Sequence, residues 1–304
     1  MNLPIIIAGI GEVLWDVYPD ESRFGGAPAN FAAHAAGLGA EACVVSAVGT
    51  DAPGDQALEE MLRRNISTAA VVRNEERPTG SVKVTLDNLG HASYQFAGDT
   101  AWDHLAWTSG LAGLAARCDA VCFGSLGQRS ADSRAVIRRF LGATRRQTLR
   151  VFDVNLRQDF YSSEVIRTSL GLASAVKLND DELPVVAELC GIPHHSEGGT
   201  LTALAERYDL SLAVLTRGAR GSLIHMHGVM DECAAVPANV VDTVGAGDAF
   251  TAAVVTGYLQ GRTPSAINRH ASEVAAWICA QPGAAPPLPS HFRLSAVPSE
   301  KATA

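Results

Sequence analysis

The segment VVDTVGAGDAF, residues 240–250, contains residue types whose spacing could support chemistry. Apolar residues at helical spacing occupy positions 249–260, so a helix is expected to begin just before them. Three small residues form the turn into this helix: Gly245, Ala246 and Gly247. Because N–H groups at a helix start are unpaired and lie at the positive end of the helix dipole, the turn predicts an anion site. The next residue, Asp248, is then either a cap for the helix or a group with a chemical role.

A second glycine-bearing segment, FGGAPANFAAHAAGLG, covers residues 24–39. Gly25 and Gly26 come before a predicted helix, and Asn30 lies in its first turn. Glycine lets the backbone approach a bound molecule closely, and the asparagine amide can both donate to and accept from hydroxyl groups. Alone, the segment is more typical of a tight turn before a helix. Together with residues 240–250, it favours a binding site.

Composition excludes several classes of protein. The 304 residues carry a net charge of -8 with no run rich in lysine or arginine, which argues against a nucleic-acid partner. No apolar stretch approaches the length of a membrane span, so no membrane partner is predicted either. The apolar start PIIIAGI is typical of a first strand rather than a signal peptide, and the six cysteines are scattered without a CxxC pair. These features predict a cytoplasmic protein with reduced, mostly buried thiols.

Common site motifs do not explain the two glycine-bearing segments. The Walker A pattern GxxxxGK[ST] and the nucleophile pattern GxSxG are both absent. The stretch GIGEVL has Leu14 where a dinucleotide-binding fingerprint needs its third glycine. The histidine pairs His194–His195 and His225–His227 suggest a metal site, but the sequence offers no third ligand, so we expect surface histidines.

Predicted strands and helices alternate along most of the chain. Continuous apolar strands such as EACVVSAVG (41–49) are separated by helices such as DAPGDQALEEMLRR (51–64). This pattern predicts an α/β fold in one domain, 1–304, with a doubly wound, mainly parallel sheet and helices on both faces. Residues 78–96 differ, because two alternating runs joined by DNLG predict an antiparallel hairpin, either a lid or a plain extension of the sheet. The stretch AAVPANVV (234–241) predicts a short extended segment before the anion turn.

The two glycine-bearing segments, in this order, resemble the two signature regions of the PfkB, or ribokinase-like, carbohydrate kinases. The resemblance covers residues 5–289, and the DTVGAGD match at 242–248 is highly specific. Intermediate stretches also agree with the family pattern in the expected order: GEVLWD (11–16), PTG (78–80), DVNLR (153–157), VKLNDDE (176–182), LTRGARGS (215–222) and ICAQPGA (278–284). The resemblance implies a ribokinase-like fold with a small β lid formed near residues 12–24 and 78–98, and a homodimer through that lid is one expectation.

The resemblance also implies roles for individual residues. Asp248 becomes the base that takes the proton from a sugar hydroxyl attacking the γ-phosphate of ATP, and the Gly245–Gly247 amides become the anion hole for the transferring phosphoryl group. The sugar is expected against four residues: Asp16, Gly26, Asn30 and Arg157. The nucleotide is expected against five: Asn179, Thr216, Gly218, Gly221 and Ser272. Glu182, with Asn179, would organise Mg²⁺ through water, since hard oxygen ligands suit that ion.

Asp242 precedes the anion turn and has two possible roles. The resemblance suggests that its loop, with carbonyl groups near Val244 and in CAQPGA (279–284), holds a monovalent cation such as K⁺, which would set the shape of the turn. Alternatively, Asp242 hydrogen-bonds the loop amides and no ion binds. The sequence leaves both roles open.

The identity of the sugar depends on finer features. Ala27 follows the glycine pair where the ribokinase pattern has lysine, and this form is similar to fructokinase-like members. DVNLR resembles both fructokinases and 2-keto-3-deoxygluconate kinases, and the sugar carboxylate of the latter would need a cation such as Arg157. We therefore expect an ATP-dependent, fructokinase-like kinase, with 2-keto-3-deoxygluconate kinase or ribokinase as alternatives and a nucleoside kinase less favoured. A homologue that binds sugar or nucleotide without turnover is the alternative of a different class, and the intact Asp248 argues against it.

Overall fold

The computed structural model describes residues 4–86, 92–193 and 196–293, and these ranges contain two β-sheets. Their strands are β1 (Ile6–Ile10), β2 (Leu14–Val17), β3 (Ser22–Gly25), β4 (Glu41–Gly49), β5 (Ile66–Ser67), β6 (Val71–Asn74), β7 (Gly80–Leu86), β8 (Ala92–Phe96), β9 (Ala120–Phe123), β10 (Leu149–Asp153), β11 (Ala175–Asn179), β12 (Leu212–Thr216), β13 (Ser222–Met226) and β14 (Val229–Cys233). Their α-helices are α1 (Ala27–Gly37), α2 (Ala52–Arg63), α3 (Ser109–Ala115), α4 (Ala131–Ala143), α5 (Ser163–Leu172), α6 (Glu182–Cys190), α7 (Glu197–Arg207), α8 (Ala246–Leu259) and α9 (Pro264–Cys279).

The larger sheet has the strand order β14-β13-β12-β11-β10-β9-β1-β4-β5, with β6 also paired to β4. Its strands are parallel except β13 and β14, which form an antiparallel extension at one edge. Ile7 in β1 packs into one apolar layer, whereas Ala8 and Ile10 pack into the other. A strand buried on both faces needs a continuous apolar sequence, as β1 has, so the predicted doubly wound, mainly parallel sheet is confirmed.

Helices cover both faces of this sheet. One layer contains buried side chains from α3 to α7, such as Leu111, Ile137, Ile166, Val186 and Leu201. The opposite layer contains buried side chains from α1, α2, α8 and α9, such as Phe31, Met61, Val254 and Val274. Because α1 and α8 pack against each other in this second layer, the two glycine-bearing segments that begin these helices are close in space.

The smaller sheet has the order β3-β2-β7-β8. β7 and β8 pair in the antiparallel sense, with Val82 opposite Phe96, which confirms the predicted hairpin strands. The DNLG turn itself lies at 87–90, outside the described ranges. β2 follows β1 after three residues, so this sheet projects from the carboxyl end of β1 and fits the predicted lid.

The segment at 234–241, predicted to be extended, joins neither sheet. β14 ends at Cys233, and residues 234–245 contain no strand, so an irregular segment leads into the anion turn. The physical reason lies in the hydrogen bonds of this segment. The N–H groups of Val241 and Asp242 both donate to the carbonyl of Cys279, at 2.8 and 3.2 Å, instead of to a neighbouring strand. Pro237 has no N–H to offer a ladder.

The histidine expectation is correct for His227, which is exposed, and wrong for His225. His225 is only 8% exposed because β13 lies between β12 and β14. His194 and His195 lie outside the described residues. Across the ranges that the structure describes, no group of three or more His, Cys, Asp or Glu side chains is arranged to hold a metal ion.

The cysteines and the length of the helices also bear on the class of protein. All six cysteines are free, and four of them are buried: Cys43, Cys118, Cys122 and Cys190. Within the described ranges, none of the helices combines the length and apolar character that crossing a bilayer would require.

Candidate active site

A cavity of about 690 Å³ lies between the carboxyl ends of the parallel strands and the smaller sheet. This edge of an open α/β sheet is where ligands bind in such folds. Ten of the predicted site residues line the cavity: Asp16, Gly26, Asn30, Arg157, Asn179, Glu182, Thr216, Gly245, Gly247 and Asp248. Five do not: Gly218, Gly221, Asp242, Ala246 and Ser272. The structure therefore brings together residues from both ends of the chain.

A hydrogen bond joins the two glycine-bearing segments. Nδ2 of Asn30, in the first turn of α1, donates to Oδ2 of Asp248, in the first turn of α8, at 3.0 Å. Oδ1 of Asn30 is buried and accepts no hydrogen bond from the described residues. Since a buried carbonyl oxygen without a donor is costly, this atom is suited to accept a hydroxyl from a molecule in the cavity.

Asp248 has the environment of a group that can exchange protons near neutral pH. Burial raises its pKa to about 6, and the nearby charge of Asp153 adds to the rise. The hydrogen bond from Asn30 and the positive charges of Lys177 and Arg157 act in the opposite direction. A carboxylate whose pKa lies at about 6 is ionised at pH 7 and yet more basic than an exposed aspartate, as a general base requires.

Two more carboxylates lie at the same end of the cavity. Burial raises the pKa of Asp16 to about 6, while the positive charges of Arg157 and Arg23 oppose the rise. Burial raises the pKa of Glu12 to about 7, with Asp248 adding to it and backbone N–H groups opposing it. Oε2 of Glu12 is buried without a hydrogen-bond partner in the described part of the chain. Sequence reasoning missed Glu12, although a carboxylate directly after an apolar strand was a signal.

A buried ion pair lies beside the anion turn. Nζ of Lys177, in β11, donates to Oδ1 of Asp153, at the end of β10, at 3.1 Å. Oγ1 of Thr251 donates to the other oxygen of Asp153 at 2.9 Å. Burial alone would lower the pKa of Lys177, but the charges of Asp153, Glu182 and Asp248 together raise it, so the ammonium is charged at neutral pH. The sequence had a signal for this pair as well, because a lysine interrupts an otherwise apolar strand.

The anion turn depends on a close backbone approach. Gly245 has φ +78°, and a Cβ there would lie 1.9 Å from the carbonyl oxygen of Ala284, so another residue could not be accommodated without displacing the backbone. The N–H of Ala246 donates to the carbonyl of Thr243 at 3.3 Å, and Ala246 does not line the cavity. Gly245 and Gly247 do, so their N–H groups are the better placed for an anion.

Asn179 and Glu182 form a reciprocal cap at the start of α6. Oδ1 of Asn179 accepts from the N–H of Glu182 at 2.8 Å, and Oε2 of Glu182 accepts from the N–H of Asn179 at 2.9 Å. Oε1 of Glu182 accepts from the N–H of Leu156, also at 2.9 Å. Each carboxylate oxygen keeps one further acceptor position, and Glu182 lines the cavity. These residues fit Mg²⁺ held through water better than direct bidentate binding of the ion by Glu182.

Asp242 makes the loop hydrogen bonds that were one of its two expected roles. Oδ1 accepts from the N–H of Val244 at 3.0 Å, and Oδ2 accepts from the N–H of Gly283 at 3.1 Å. The guanidinium of Arg23, from β3, lies 3.4 Å from Oδ2. The carboxylate therefore already has amide donors and a cation beside it.

The predicted nucleotide residues are divided between the cavity and its surroundings. Thr216 lines the cavity at the end of β12, whereas Gly218 and Gly221 shape the turn that follows, with φ +54° and +85°. A Cβ on Gly221 would lie 2.0 Å from the carbonyl oxygen of Cys233. Ser272 is buried on α9 with its hydroxyl 3.5 Å from that of Ser222, so it lies behind the cavity wall.

The mainly parallel sheet, the small second sheet and the cavity between them define an α/β enzyme with its site at the carboxyl edge. Residues 14–291 match the pfkB family of carbohydrate kinases, and the chain belongs to this family. It is therefore a phosphotransferase with an alcohol group as acceptor, a sugar kinase in the broad sense.

Known relatives agree with this assignment. An uncharacterized sugar kinase from Pyrococcus horikoshii is 30% identical over 278 residues, which cover 86% of this chain and 85% of that protein. A fructokinase from Escherichia coli is 28% identical over 270 residues, 82% of each chain. The crystal structure of the Pyrococcus horikoshii kinase matches this one with a TM-score of 0.79 at 28% identity, over 92% of this chain and 93% of that one. That kinase has also been solved in complex with ATP.

Proposed function

We propose that this kinase transfers the γ-phosphate of ATP to a hydroxyl of a neutral sugar, with fructose as the first candidate. The hydrogen bond between Asn30 and Asp248 carries the proposal, because it holds a carboxylate where the hydroxyl-binding end of the cavity meets the anion turn. The similarity to the Escherichia coli fructokinase supports the choice of sugar. The ATP complex of the Pyrococcus horikoshii relative supports the choice of phosphate donor.

In the proposed reaction, Asp248 accepts the proton of the sugar hydroxyl as the hydroxyl oxygen attacks the γ-phosphorus and the bond to ADP breaks. The N–H groups of Gly245 and Gly247 donate to the phosphoryl oxygens, where negative charge must be stabilised. Asn30 fixes the orientation of Asp248. Glu182 would hold Mg²⁺ through water, and the ion would supply charge neutralisation at the phosphates.

The charges at the acceptor end favour a neutral sugar. Asp16, Glu12 and Asp248 place three carboxyl groups there, and Arg157 is a cation whose charge acts on all three. Carboxylates and the Asn30 amide are suited to sugar hydroxyls, which can donate to them. A sugar acid would add a further negative charge to this end, which costs free energy in a partly buried site.

2-Keto-3-deoxygluconate kinase is the second candidate, and Arg157 is the observation that favours it. Its side chain lines the cavity, and its one hydrogen bond to a described residue is to the neighbouring Leu156 carbonyl, at 3.2 Å. A guanidinium with free donors is suited to a carboxylate. Ribokinase is a third activity in the same class, and a homologue that binds sugar or nucleotide without turnover is the alternative of a different class.

Thr216 and Asn179 are the proposed nucleotide contacts within the cavity, with Gly218 and Gly221 shaping the adjacent loop and Ser272 supporting it from behind. We also propose that the chain acts as a single domain in the cytoplasm, and that a homodimer forms through the smaller sheet.

For Asp242, the contacts favour the role without an ion. Arg23 supplies positive charge at 3.4 Å, and the Cys279 carbonyl already accepts two N–H groups. The Ala284 carbonyl oxygen lies 3.0 Å from Nε2 of His34. Burial lowers the pKa of His34 to about 4, so this neutral ring donates to the carbonyl through Nε2. We therefore propose that K⁺ is not required.

The decisive experiment is a coupled assay of ADP formation by purified protein with ATP and MgCl₂. The acceptor panel is fructose, glucose, ribose, 2-keto-3-deoxygluconate and adenosine. We expect the highest kcat/KM for fructose, with the phosphorylated product identified by mass spectrometry. A higher kcat/KM for 2-keto-3-deoxygluconate would replace the neutral-sugar proposal. Sugar or ATP binding in calorimetry without turnover of any acceptor would favour the non-catalytic alternative.

A further inference from the structure

Lys177 occupies a position that burial makes costly. The chain has three lysines. This one lies within β11, between Val176 and Leu178, which are both fully buried in the apolar core. Its side chain is 11% exposed, and the residue lines the cavity. Taking an ammonium group out of water costs several kcal/mol even when it is paired, so replacing such a pair by apolar residues is often neutral or stabilising. Packing alone therefore does not account for Lys177.

The ammonium has more donors than its partner uses. Oδ1 of Asp153 takes one hydrogen bond at 3.1 Å, and within the described residues Nζ makes no second hydrogen bond. An ammonium group carries three donors. Oγ1 of Thr251 lies 2.9 Å from the other oxygen of Asp153 and 2.9 Å from the Gly247 carbonyl, so the hydroxyl bridges the carboxylate and the anion turn. The pair is thus fixed, and two donors of Lys177 are left for a molecule in the cavity.

The position of Nζ relative to the anion turn is specific. A Cβ built on Gly247 would lie 3.2 Å from Nζ, and this nitrogen is the nearest atom that such a Cβ would meet. The charges of Asp248 and Glu182 both act on Lys177. The ammonium therefore lies beside the proposed anion turn, where the charges of the proposed base and of the carboxylate proposed to organise Mg²⁺ both act on it.

We propose that Lys177 is a further catalytic residue. Its ammonium group, next to Gly247, donates a hydrogen bond to the phosphoryl group while that group is being transferred. The inference rests on the proposed ATP-dependent kinase function. During transfer, the bond from the hydroxyl oxygen to phosphorus forms, the bond from phosphorus to the ADP oxygen breaks, and the hydroxyl proton passes to Asp248. Lys177 keeps its proton throughout and stabilises the negative charge on the phosphoryl oxygens. Asp153 and Thr251 are positioning residues for it.

The test uses a variant that removes the ion pair without leaving a buried lone charge. Lys177→Met combined with Asp153→Asn preserves side-chain size, whereas Lys177→Met alone leaves Asp153 buried and unpaired and is expected to be less stable. Lys177→Arg keeps the charge. Arg146→Met is the control, because Arg146 is exposed and lies outside both the cavity and the smaller sheet. Circular dichroism and thermal unfolding establish that each variant is folded.

The measurements separate contact with the phosphoryl group from a structural role. For the double variant we expect kcat to fall about 10²- to 10³-fold, as when one donor to a developing charge is removed. The KM values for sugar and ATP should change far less. Calorimetric affinity for ADP with aluminium fluoride, a mimic of the phosphoryl group in transit, should fall by a similar factor while affinity for ADP alone is retained. Arg146→Met should match the wild type in every measurement.

Two results would overturn the inference. One is a double variant with wild-type kcat and wild-type affinity for ADP with aluminium fluoride. The other is an equal loss of affinity for ADP with and without aluminium fluoride, which would assign Lys177 to ground-state nucleotide binding or to folding. Failure of the proposed function is distinguishable, because the wild type would then phosphorylate none of the sugars, whereas the aluminium fluoride measurements still compare the variants.

Discussion

Asn30 and Asp248 are 218 positions apart in the chain, and Nδ2 of the first lies 3.0 Å from Oδ2 of the second. Each lies in the first turn of a helix, and the two helices pack against each other on one face of the larger sheet. The amide of Asn30 thereby stabilises the ionised form of Asp248 and fixes the direction in which its carboxylate points. The proposed base and its orienting group are contributed by opposite ends of the protein.

Removing this amide should change the pH dependence of the enzyme. A base with a pKa of about 6 is active when ionised, so kcat should fall as the pH is lowered through about 6. Asn30→Ala removes a hydrogen bond that lowers the pKa of Asp248, so the acidic limb should move to higher pH. A pH profile of kcat for both proteins checks this. An unchanged limb in the variant would contradict the orienting role of Asn30.

Asp248→Asn should leave folding and ATP binding nearly intact while lowering turnover by roughly 10²- to 10⁴-fold, the usual contribution of a general base. The measurements are kcat on the best sugar and ATP affinity by calorimetry. Asp209→Asn is a matched control, because Asp209 is exposed and has φ +52°, a conformation that asparagine also tolerates. Wild-type turnover by Asp248→Asn would show that the base is misassigned.

Asp16→Ala should raise the sugar KM on the order of 10- to 100-fold and the ATP KM much less, because it leaves sugar hydroxyls unpaired in a partly dry site. Steady-state kinetics with each substrate varied in turn gives both constants. Asp16→Asn keeps part of the hydrogen bonding and should have a smaller effect. Equal increases in both KM values would instead indicate a structural role for Asp16.

Glu12 should make the stability of the protein depend on pH. Burial raises its pKa from the ordinary 4.5 to about 7, so the folded state favours the protonated form. The resulting stabilisation is complete below pH 4.5 and is lost as the pH rises through 7, on the order of 3 kcal/mol in total. Glu12→Gln, which is always neutral, should therefore be more stable than the wild type at pH 8 and similar to it at pH 5. Urea unfolding at both pH values tests this. The same difference in unfolding free energy between variant and wild type at pH 5 and at pH 8 would contradict it.

Potassium should have no effect on turnover. Amide donors and Arg23 already surround the carboxylate of Asp242, so a further cation beside it is not needed. The measurement is kcat during a K⁺ titration in a buffer whose cation is tetramethylammonium, with Mg²⁺, ATP and sugar saturating. A saturable rise in kcat would show that the loop binds a monovalent cation, and it would leave the assignment of Asp248 unaffected.

Sequence patterns predicted the architecture because they reflect burial. The continuous apolar strands indicated a sheet covered on both faces, and the alternating runs of 78–96 indicated a strand pair with one wet face. The turn at Gly245 was also predictable, because small residues directly before an apolar helical pattern indicate a tight turn into a helix. In each case the local composition already contains the physical cause.

Contacts between distant segments were not predictable in the same way. Nothing near Lys177 in the sequence states that Asp153 will be its partner, or that Gly247 will lie above its ammonium group. The pattern at 234–241 predicted extended backbone, but no strand forms there, because the N–H groups of Val241 and Asp242 donate to the Cys279 carbonyl. Such pairings are decided by the packing of whole elements, and periodicity along one segment does not encode them.

The packing of α1 against α8 has a consequence for how the enzyme comes into being. As the chain is synthesised, the lid strand with Asp16 and the helix with Asn30 emerge first, whereas the base follows more than two hundred residues later. Contacts between residues so far apart in sequence form late in folding. Ordering the intervening chain costs conformational entropy before these contacts can stabilise the structure. A nascent chain that has not reached α8 therefore has the proposed hydroxyl-binding groups but neither the proposed base nor the proposed anion turn, and it completes the candidate site only in the last stage of folding.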